Sequence, residues 1–324
     1  MKILITGASG FIGDYIITEL KKKHKLACLV LPNEKLRNPD GIEIFVGDIT
    51  KPDTLKEACA WPDIVLHVAG LNQAHEVENY YRVNEKGTKN MVDVLAKENP
   101  GLKLFVLFSS LSVAGPMESL EVPINESQEP SPIDHYGKSK LYGEKTLENA
   151  PFKYVILRLP SVYGGGSVEF IILMRLMKKQ RIKPRMGSKG NYFSMIYVED
   201  LAQVVAKLIL NRSKLKHNVF YLAGKAGGHH TDEINTSISQ LMPHKVFSFQ
   251  VPIFLLKLIG FCTAVVSKIT GKGFLLNPSQ VTRLTSDFVC DPARFKSEFG
   301  IEKYTTLNEG MKRSHEWYEK EGWL

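Results

Sequence analysis

The hydrophobic residues of this chain fall into short unbroken runs, and in the segments between the runs apolar positions recur at helical spacing. Runs with apolar side chains at successive positions are typical of strands buried on both faces. Strands that alternate with helices predict a parallel α/β sheet covered on both faces, and right-handed crossovers make it doubly wound. The predicted strands cover residues 3–5, 26–31, 42–46, 64–68, 104–108, 154–158 and 218–222.

A glycine-rich turn, Thr6-Gly-Ala-Ser-Gly-Phe-Ile-Gly13, follows the first predicted strand, and a helix is predicted to begin within it. Glycines at this spacing allow a tight turn, a close backbone approach to a pyrophosphate and close packing of the helix on the strand. The free N–H groups at the start of the helix favour a bound anion. An ordinary strand–turn–helix unit is the alternative, and motifs further along the chain must decide between the two.

The most apolar run of the chain covers residues 251–266. It contains Pro252, Lys257 and Gly260, and it is shorter than the roughly 20 apolar residues that a bilayer span needs. We therefore expect a helix buried over a substrate cleft. A contact with a membrane surface is the alternative.

The chain has 324 residues and a formal net charge of +8, which favours anionic partners in general. Basic clusters lie at 21–25 and 178–185, but no nucleic-acid-binding motif accompanies them, so we expect no nucleic acid partner. The four cysteines form no CxxC pair, and His229-His230 with Asp232 is typical of a loop that enters a helix, so we expect no metal site. The first strand leaves no room for a signal segment, which predicts a cytoplasmic protein.

Candidate chemistry lies in Ser109-Ser110, where the fifth predicted strand ends, and in Tyr136-Gly-Lys-Ser-Lys140. Residues four apart share one face of a helix, so the tyrosine and Lys140 should point the same way. A nearby ammonium lowers the pKa of a phenol, which favours Tyr136 as a general acid/base. Ser110 can then hydrogen-bond the same substrate oxygen, whereas we expect Ser109 and Ser112 to bond the loop backbone.

Together these motifs resemble those of the extended short-chain dehydrogenases/reductases, the superfamily of NAD-dependent epimerases and dehydratases. The resemblance extends along nearly the whole chain. The matching motifs lie at 6–13, 47–49, 67–70, 83–88, 109–116, 136–140, 158–164 and 197–200.

The resemblance implies a Rossmann domain over residues 1–160, completed by about 190–224. It also implies a smaller substrate lobe built from about 161–189 and 225–324, and a homodimer formed through the helices near 90 and 140. Ser110, Tyr136 and Lys140 are the implied catalytic residues. The implied cofactor-binding residues are Gly7, Ser9, Gly10, Phe11, Ile12, Gly13, Asp48, Ile49, Val68, Ala69, Gly70, Asn84, Lys140, Pro160, Ser161 and Val162.

The choice between NAD and NADP depends on the residues that follow the second strand. An acidic residue there favours NAD and a basic one favours NADP. Leu31-Pro32-Asn33 offers neither, but Lys35 and Arg37 follow closely, so the sequence leans towards NADP with Arg37 among the cofactor-binding residues.

Two departures from the family pattern bear on the substrate. Phe193 and Ser194 stand where many nucleotide-sugar enzymes carry an Arg-Asp pair whose arginine grips a diphosphate, and Ala114 replaces a frequent tyrosine. A nucleotide-sugar substrate is therefore disfavoured unless Arg185, Lys189 or Arg283 supplies the charge, and the chain is more similar to the hydroxysteroid-dehydrogenase and dihydroflavonol-reductase branch.

The resemblance therefore predicts an NAD(P)-dependent oxidoreductase. It would transfer a hydride to or from a secondary alcohol or ketone on a rather apolar small molecule. One alternative is a nucleotide-sugar epimerase or dehydratase that retains its NAD. Another is a cofactor-binding sensor without catalysis.

Overall fold

The computed structural model describes residues 1–117, 119–270, 278–301 and 303–324; residues 271–277, within the predicted substrate lobe, lie outside the described residues. At its centre is a seven-stranded parallel sheet in which β11, β6, β5, β4, β1, β2 and β3 lie side by side in that order. These strands are β1 (Lys2–Thr6), β2 (Lys25–Val30), β3 (Glu43–Val46), β4 (Ile64–His67), β5 (Leu104–Ser110), β6 (Tyr154–Leu159) and β11 (Val219–Tyr221).

Helices follow most of these strands, and short strands pair outside the central sheet. The short strands are β7 (Ser161–Tyr163), β8 (Ile182–Met186), β9 (Tyr192–Phe193), β10 (Met195–Tyr197), β12 (His229–His230) and β13 (Phe247–Val251). The helices are α1 (Phe11–Leu20), α2 (Lys56–Ala60), α3 (Val77–Tyr80), α4 (Thr88–Glu98), α5 (His135–Lys145), α6 (Val168–Gln180), α7 (Val198–Leu210), α8 (Thr231–Ser239), α9 (Ile253–Thr270), α10 (Pro278–Leu284), α11 (Ala293–Phe299) and α12 (Leu307–Lys320).

The predicted doubly wound sheet is confirmed, and each predicted strand is found within about two residues of its expected bounds. Successive apolar residues of the strands divide between two cores. Ile3 and Ile5 belong to the core beneath α1 and α7, whereas Leu4 belongs to the core beneath α2 and α4. The strand order reverses at β1, which pairs with β2 on one side and β4 on the other. In such sheets ligands bind outside the carboxyl ends of the strands at this reversal.

A third apolar cluster lies outside the central sheet and joins α6, α8 and α12 around Met174, Ile238 and Met311. We propose that it is the core of the predicted substrate lobe. Helix α12 holds the loop after β7, because the Tyr318 hydroxyl donates to the carbonyl oxygens of Gly164 at 2.8 Å and Ser167 at 2.7 Å. At the end of α12 the chain comes back to the Rossmann half, where Glu321 is ion-paired with Arg37.

The prediction that residues 251–266 form a buried helix is wrong. Most of α9 is exposed, and Leu256 and Gly260 are the buried residues of its described part. Small or polar residues fill much of the face that packs on the protein, so periodicity alone could not show which side was covered. Among the described residues, no helix is both long enough and apolar enough to cross a bilayer.

Candidate functional site

The glycine turn is pressed against the end of β4. Gly7 has a φ of +68°, and a Cβ atom on it would lie 2.7 Å from the Ala69 nitrogen. A Cβ atom on Gly13 would lie 2.4 Å from the Gly7 carbonyl oxygen. Both positions therefore require glycine. Gly10 is the N-cap residue of α1 and provides no side-chain cap, so the first N–H groups of the helix are available to an anion at the carboxyl edge of the sheet.

Other predicted cofactor-binding residues lie on the loops that leave this edge. The Asp48 carboxylate accepts hydrogen bonds from the Thr50 backbone and hydroxyl, both at 2.8 Å, which fixes the turn after β3. Asn84 holds the loop after β4, because its side chain exchanges two hydrogen bonds with the backbone of Leu71. Val68, Ala69 and Gly70 belong to that loop, and Pro160, Ser161 and Val162 follow β6. The fold thus brings these segments to one edge.

The loop after β2 carries an acidic residue, Glu34, that no pattern in the sequence singled out. The Ser9 hydroxyl, in the glycine turn, donates to the Glu34 carboxylate at 2.7 Å. Arg37, in contrast, is ion-paired with Glu321 of α12, and its guanidinium lies 5.0 Å from the centre of the Trp317 ring. Arg37 is therefore committed to α12, and the side chain next to the glycine turn is a carboxylate. The lean towards NADP loses its structural basis.

Helix α5 positions the predicted catalytic pair. Its N-cap is Asp134, whose carboxylate accepts a hydrogen bond from the Gly137 nitrogen at 2.7 Å. Tyr136 and Lys140 follow one turn apart, as the sequence predicts. The Lys140 ammonium donates to the Phe108 carbonyl oxygen of β5 at 2.6 Å, and a Cβ atom on Gly70 would come within 3.3 Å of it. Lys140 therefore lies between β5 and the loop after β4.

The electrostatics of Tyr136 differ from the prediction. Burial raises the pKa of Tyr136 above the ordinary value for tyrosine, and a hydrogen bond with Ser110 and the charge of Arg283 offset only part of that rise. Burial also lowers the pKa of Lys140 to about 8. The prediction of a lowered pKa for Tyr136 is thus wrong, because burial outweighs the opposing charge. Lys140 is bonded to a carbonyl oxygen, and the cation that acts on the phenol is Arg283.

Arg283 reaches the predicted catalytic residues from α10, far along the chain. Its guanidinium lies 5.4 Å from the centre of the Tyr136 ring, and its Nε atom is 3.1 Å from an Asp134 carboxylate oxygen. Glu169 of α6 is near enough for Arg283 to lower its pKa, although burial raises that pKa overall. No spacing in the sequence could have linked Arg283 or Glu169 to Tyr136, whereas Asp134 lies only two residues before it. The structure thus adds a cation and two carboxylates to the predicted site.

A buried ion pair between Glu144 of α5 and Arg158 of β6 joins the helix to the sheet. Glu144 and Arg158 lie 2.7 Å apart with almost no exposure, and the Ser109 hydroxyl donates to the same carboxylate at 2.5 Å. Arg158 also donates to the Tyr221 hydroxyl at 2.8 Å. The expectation that Ser109 bonds the loop backbone is therefore wrong. Ser110 accepts a hydrogen bond from the Ser112 nitrogen at 3.1 Å, which fixes the loop beside Tyr136.

Beneath the loop after β4, His67 is fully buried between two hydroxyl groups. Its Nδ1 atom is 2.8 Å from the Thr6 hydroxyl and its Nε2 atom is 3.2 Å from the Thr88 hydroxyl. Burial lowers the pKa of His67 to about 3, so the ring is neutral near pH 7. It joins β1, β4 and α4, which is the role of a hydrogen-bonded core histidine.

The burial of His67 predicts a loss of stability in acid. The unfolded chain takes up a proton at His67 near pH 6.5 and the native state does not, so stability falls as the pH drops from about 6.5 towards 3. We expect this residue to account for about 3 kcal/mol between pH 7 and pH 4.5, measured by urea unfolding at both values. A His67→Gln variant should lose that dependence, whereas the exposed His75→Gln control should follow the unmodified protein. Parallel pH profiles for His67→Gln and the unmodified protein would exclude this role.

The paired histidines after β11 do not converge on one point. His229 is 2.9 Å from the Glu233 carboxylate, and His230 is 2.9 Å from the Lys189 carbonyl oxygen. Among the residues that the structure describes, no group of three potential metal ligands is found. Phe193 packs in an apolar cluster with Leu111 and Phe288, where many nucleotide-sugar enzymes have an arginine.

Comparison with known proteins agrees with this geometry. A sequence model of the NAD dependent epimerase/dehydratase family matches residues 3–224. UDP-glucose 4-epimerase of Vibrio cholerae is 28% identical to the chain over 327 aligned residues, covering 96% of this chain and 94% of the relative. N-acetyl-alpha-D-glucosaminyl-diphospho-ditrans,octacis-undecaprenol 4-epimerase of Escherichia coli O157:H7 is 26% identical, covering 96% and 93% of the two chains. UDP-glucuronic acid 4-epimerase from Bacillus cereus, solved in complex with NAD, is 18% identical with a TM-score of 0.77 over 99% of each chain, which shows a common fold.

Proposed function

Because the chain belongs to the NAD dependent epimerase/dehydratase family, we propose that it is an NAD-dependent enzyme that oxidises and re-reduces one carbinol carbon of a diphosphate-linked sugar. The observation that carries the proposal is the convergence of Ser110, Tyr136 and Lys140 next to the loop after β4, against which the glycine turn packs, with the Arg283 cation next to the tyrosine. The proposed reaction is epimerisation, in agreement with the reactions for which the two curated relatives are named. The proposal therefore takes the alternative given in the sequence analysis, a nucleotide-sugar epimerase that retains its NAD. It does so in place of a dehydrogenase that leaves its alcohol or ketone substrate oxidised or reduced.

The residues present fit a dinucleotide. The glycine turn leaves no room for a Cβ atom at Gly7 and exposes the N–H groups of α1, which suits a pyrophosphate. Lys140 would hold the nicotinamide ribose, and residues 160–162 would lie near the nicotinamide ring. When bound, the cofactor would supply a hydride acceptor for the carbinol carbon and, once reduced, a hydride donor.

The protein's own residues would manage the proton. Tyr136 would take the hydroxyl proton of the substrate and return it, while Ser110 orients the same oxygen. Because burial raises the pKa of Tyr136, the neighbouring cation Arg283 has to help stabilise the phenolate. Arg283 is also well placed to meet the substrate's negative charge, which compensates for the absence of an arginine at position 193.

The apolar surroundings of Phe193 favour a second candidate, a dehydrogenase that acts on a more apolar alcohol or ketone and releases its cofactor. The two candidates differ in the fate of the cofactor. Only the epimerase returns the hydride to its substrate in each cycle.

A single experiment distinguishes them. The purified protein is denatured and the released nucleotide is identified and counted, and the native protein is then incubated with UDP-glucose and UDP-N-acetylglucosamine. We expect close to one NAD per chain, no net change in the absorbance of reduced nicotinamide, and a 4-epimer product detected by NMR. If sterol-like ketones consume added reduced cofactor in stoichiometric amounts and the sugars do not react, the second candidate is correct.

Glu34 should select NAD over NADP. A carboxylate beside the glycine turn can accept hydrogen bonds from the adenine-ribose hydroxyls and repels a 2′-phosphate. We expect Glu34→Lys to weaken NAD binding about tenfold and to strengthen NADP binding, as measured by calorimetry on nucleotide-free protein. The adjacent Lys35→Glu variant is the control and should change the ratio of the two affinities little. An unchanged ratio in Glu34→Lys would remove Glu34 from the cofactor site.

A further inference from the structure

The outward side of α9 is apolar, although it faces solvent. Phe254, Leu258, Phe261 and Val265 recur at intervals of four, three and four residues, so they form one stripe along the helix. Phe254 is 72% exposed and Phe261 is 65% exposed. The opposite stripe, which faces the protein, contains Leu256, Gly260 and Ser267. Both phenylalanine rings thus lie on the solvent side of α9, whereas the side that packs on the protein combines one leucine with glycine and serine.

Strand β13, which immediately precedes α9 in the chain, carries further exposed apolar side chains. It precedes α9, separated from it only by Pro252, and its Phe247 and Phe249 are more than half exposed. Exposed apolar surface of this extent is typical of an interaction site. We call the exposed side chains of β13 and the outward stripe of α9 the apolar face.

The segment that carries the apolar face contains basic residues and no acidic ones. No Asp or Glu occurs between Glu233 and Asp287, whereas Lys245 and Lys257 fall within that interval. Lys257 is exposed on α9, about a quarter turn from the apolar stripe, and Lys183 of β8 is in register with Ser248 of β13. Long lysine side chains beside an apolar helical face suit a surface that is apolar inside and negatively charged outside.

We propose that the apolar face docks on the surface of a lipid bilayer that contains anionic lipids. A second copy of the chain is disfavoured as the occupant, because two copies of Lys257 would meet at such an interface and the segment offers no acidic side chain to pair with them. The docking leaves α9 on the outside of the bilayer core, attached to the protein through Leu256 and Gly260. It does not depend on the proposed reaction.

Docking also brings the membrane close to the catalytic residues. Helix α9 packs against α10, and α10 carries the Arg283 that faces the Tyr136 ring. A substrate whose diphosphate is linked to a membrane lipid would therefore approach the site from the docked side, and this last step rests on the proposed function.

Vesicle flotation with the full-length protein tests the docking. We expect binding to vesicles of phosphatidylcholine with about a third phosphatidylglycerol and much weaker binding to phosphatidylcholine alone. Phe254→Ser with Phe261→Ser should reduce the partition coefficient at least tenfold, because both rings face outward and their loss spares the fold. Leu210→Ser, which changes an isolated exposed side chain on α7, is the matched control and should bind like the unmodified protein. Lys257→Glu should weaken binding to the anionic vesicles about tenfold.

Several outcomes would overturn the proposal. These are no binding to either vesicle, equal binding to both, or unchanged binding of the double phenylalanine variant at an unchanged melting temperature. A dimer in solution that the double variant splits, without vesicle binding by the unmodified protein, would assign the apolar face to a second copy. Because the vesicles carry no substrate, failure here is distinguishable from failure of the proposed reaction.

Discussion

A Tyr136→Phe variant should bind its cofactor normally and lose turnover by a factor of about 10² or more. The change removes only the hydroxyl that would exchange the substrate proton, and the ring stays in contact with Tyr80 and Arg283. Since the phenol is buried and the guanidinium lies against the ring face, the fold should tolerate phenylalanine. The measurement is the steady-state rate of sugar epimerisation together with nucleotide content per chain.

The neighbouring tyrosine provides the control for this prediction. The Tyr80 ring centre lies 6.0 Å from that of Tyr136, and its hydroxyl accepts a hydrogen bond from the Ala74 backbone at 3.1 Å. Tyr80→Phe should therefore keep turnover within a few-fold of the unmodified protein. Near-normal turnover in Tyr136→Phe, or an equal loss in both variants, would contradict the assignment of Tyr136 as the acid/base.

A Glu144→Gln variant should lower the free energy of unfolding by about 3–5 kcal/mol. The substitution keeps the shape of the side chain but leaves the buried Arg158 guanidinium without its counter-charge. It also weakens the hydrogen bond that Ser109 donates. Urea unfolding near pH 7 would measure the loss.

A double-mutant cycle separates the interaction energy of the Glu144–Arg158 pair from the destabilisation that each single substitution causes by itself. Arg158→Gln should also be destabilising, and Glu144→Gln with Arg158→Gln should be less unstable than the sum of the two, because no charge is then left buried alone. The exposed pair of Lys312 and Glu316 on α12 is the control, and Glu316→Gln there should change stability little. A loss below about 1 kcal/mol in Glu144→Gln, or strict additivity, would show that the pair does not support α5.

The parts of the fold that depend on local pattern could be predicted from the sequence. Unbroken apolar runs located the sheet strands because most of the strands are buried on both faces, although β3, at the edge of the sheet, is largely exposed. The glycine turn was predictable because the requirement for glycine at position 7 is a backbone requirement. The spacing of Tyr136 and Lys140 was sufficient to predict that they lie one turn apart, because both belong to one helix.

The parts of the fold and of the site that depend on contacts between distant segments could not be predicted from the sequence. Arg283 meets Tyr136 across 147 positions of the chain, a separation that no helical or strand period encodes. The pKa of Tyr136 depends on burial, which the helical spacing of Lys140 does not report. Arg37 and Glu34 lie three residues apart, and only the fold decides that Glu34 meets the glycine turn and Arg37 meets α12.

The contacts of α12 with the loop after β7 have a consequence for biosynthesis. A Cβ atom on Gly165 would lie 2.3 Å from the Trp317 ring, and Tyr318 donates to two carbonyl oxygens of the same loop. A nascent chain that has already formed the central sheet lacks these partners until residues 317–321 leave the ribosome. The loop after β7 therefore reaches its final packing only after α12 has been synthesised. Until then, the 164–167 loop is the segment that we expect proteases and chaperones to reach.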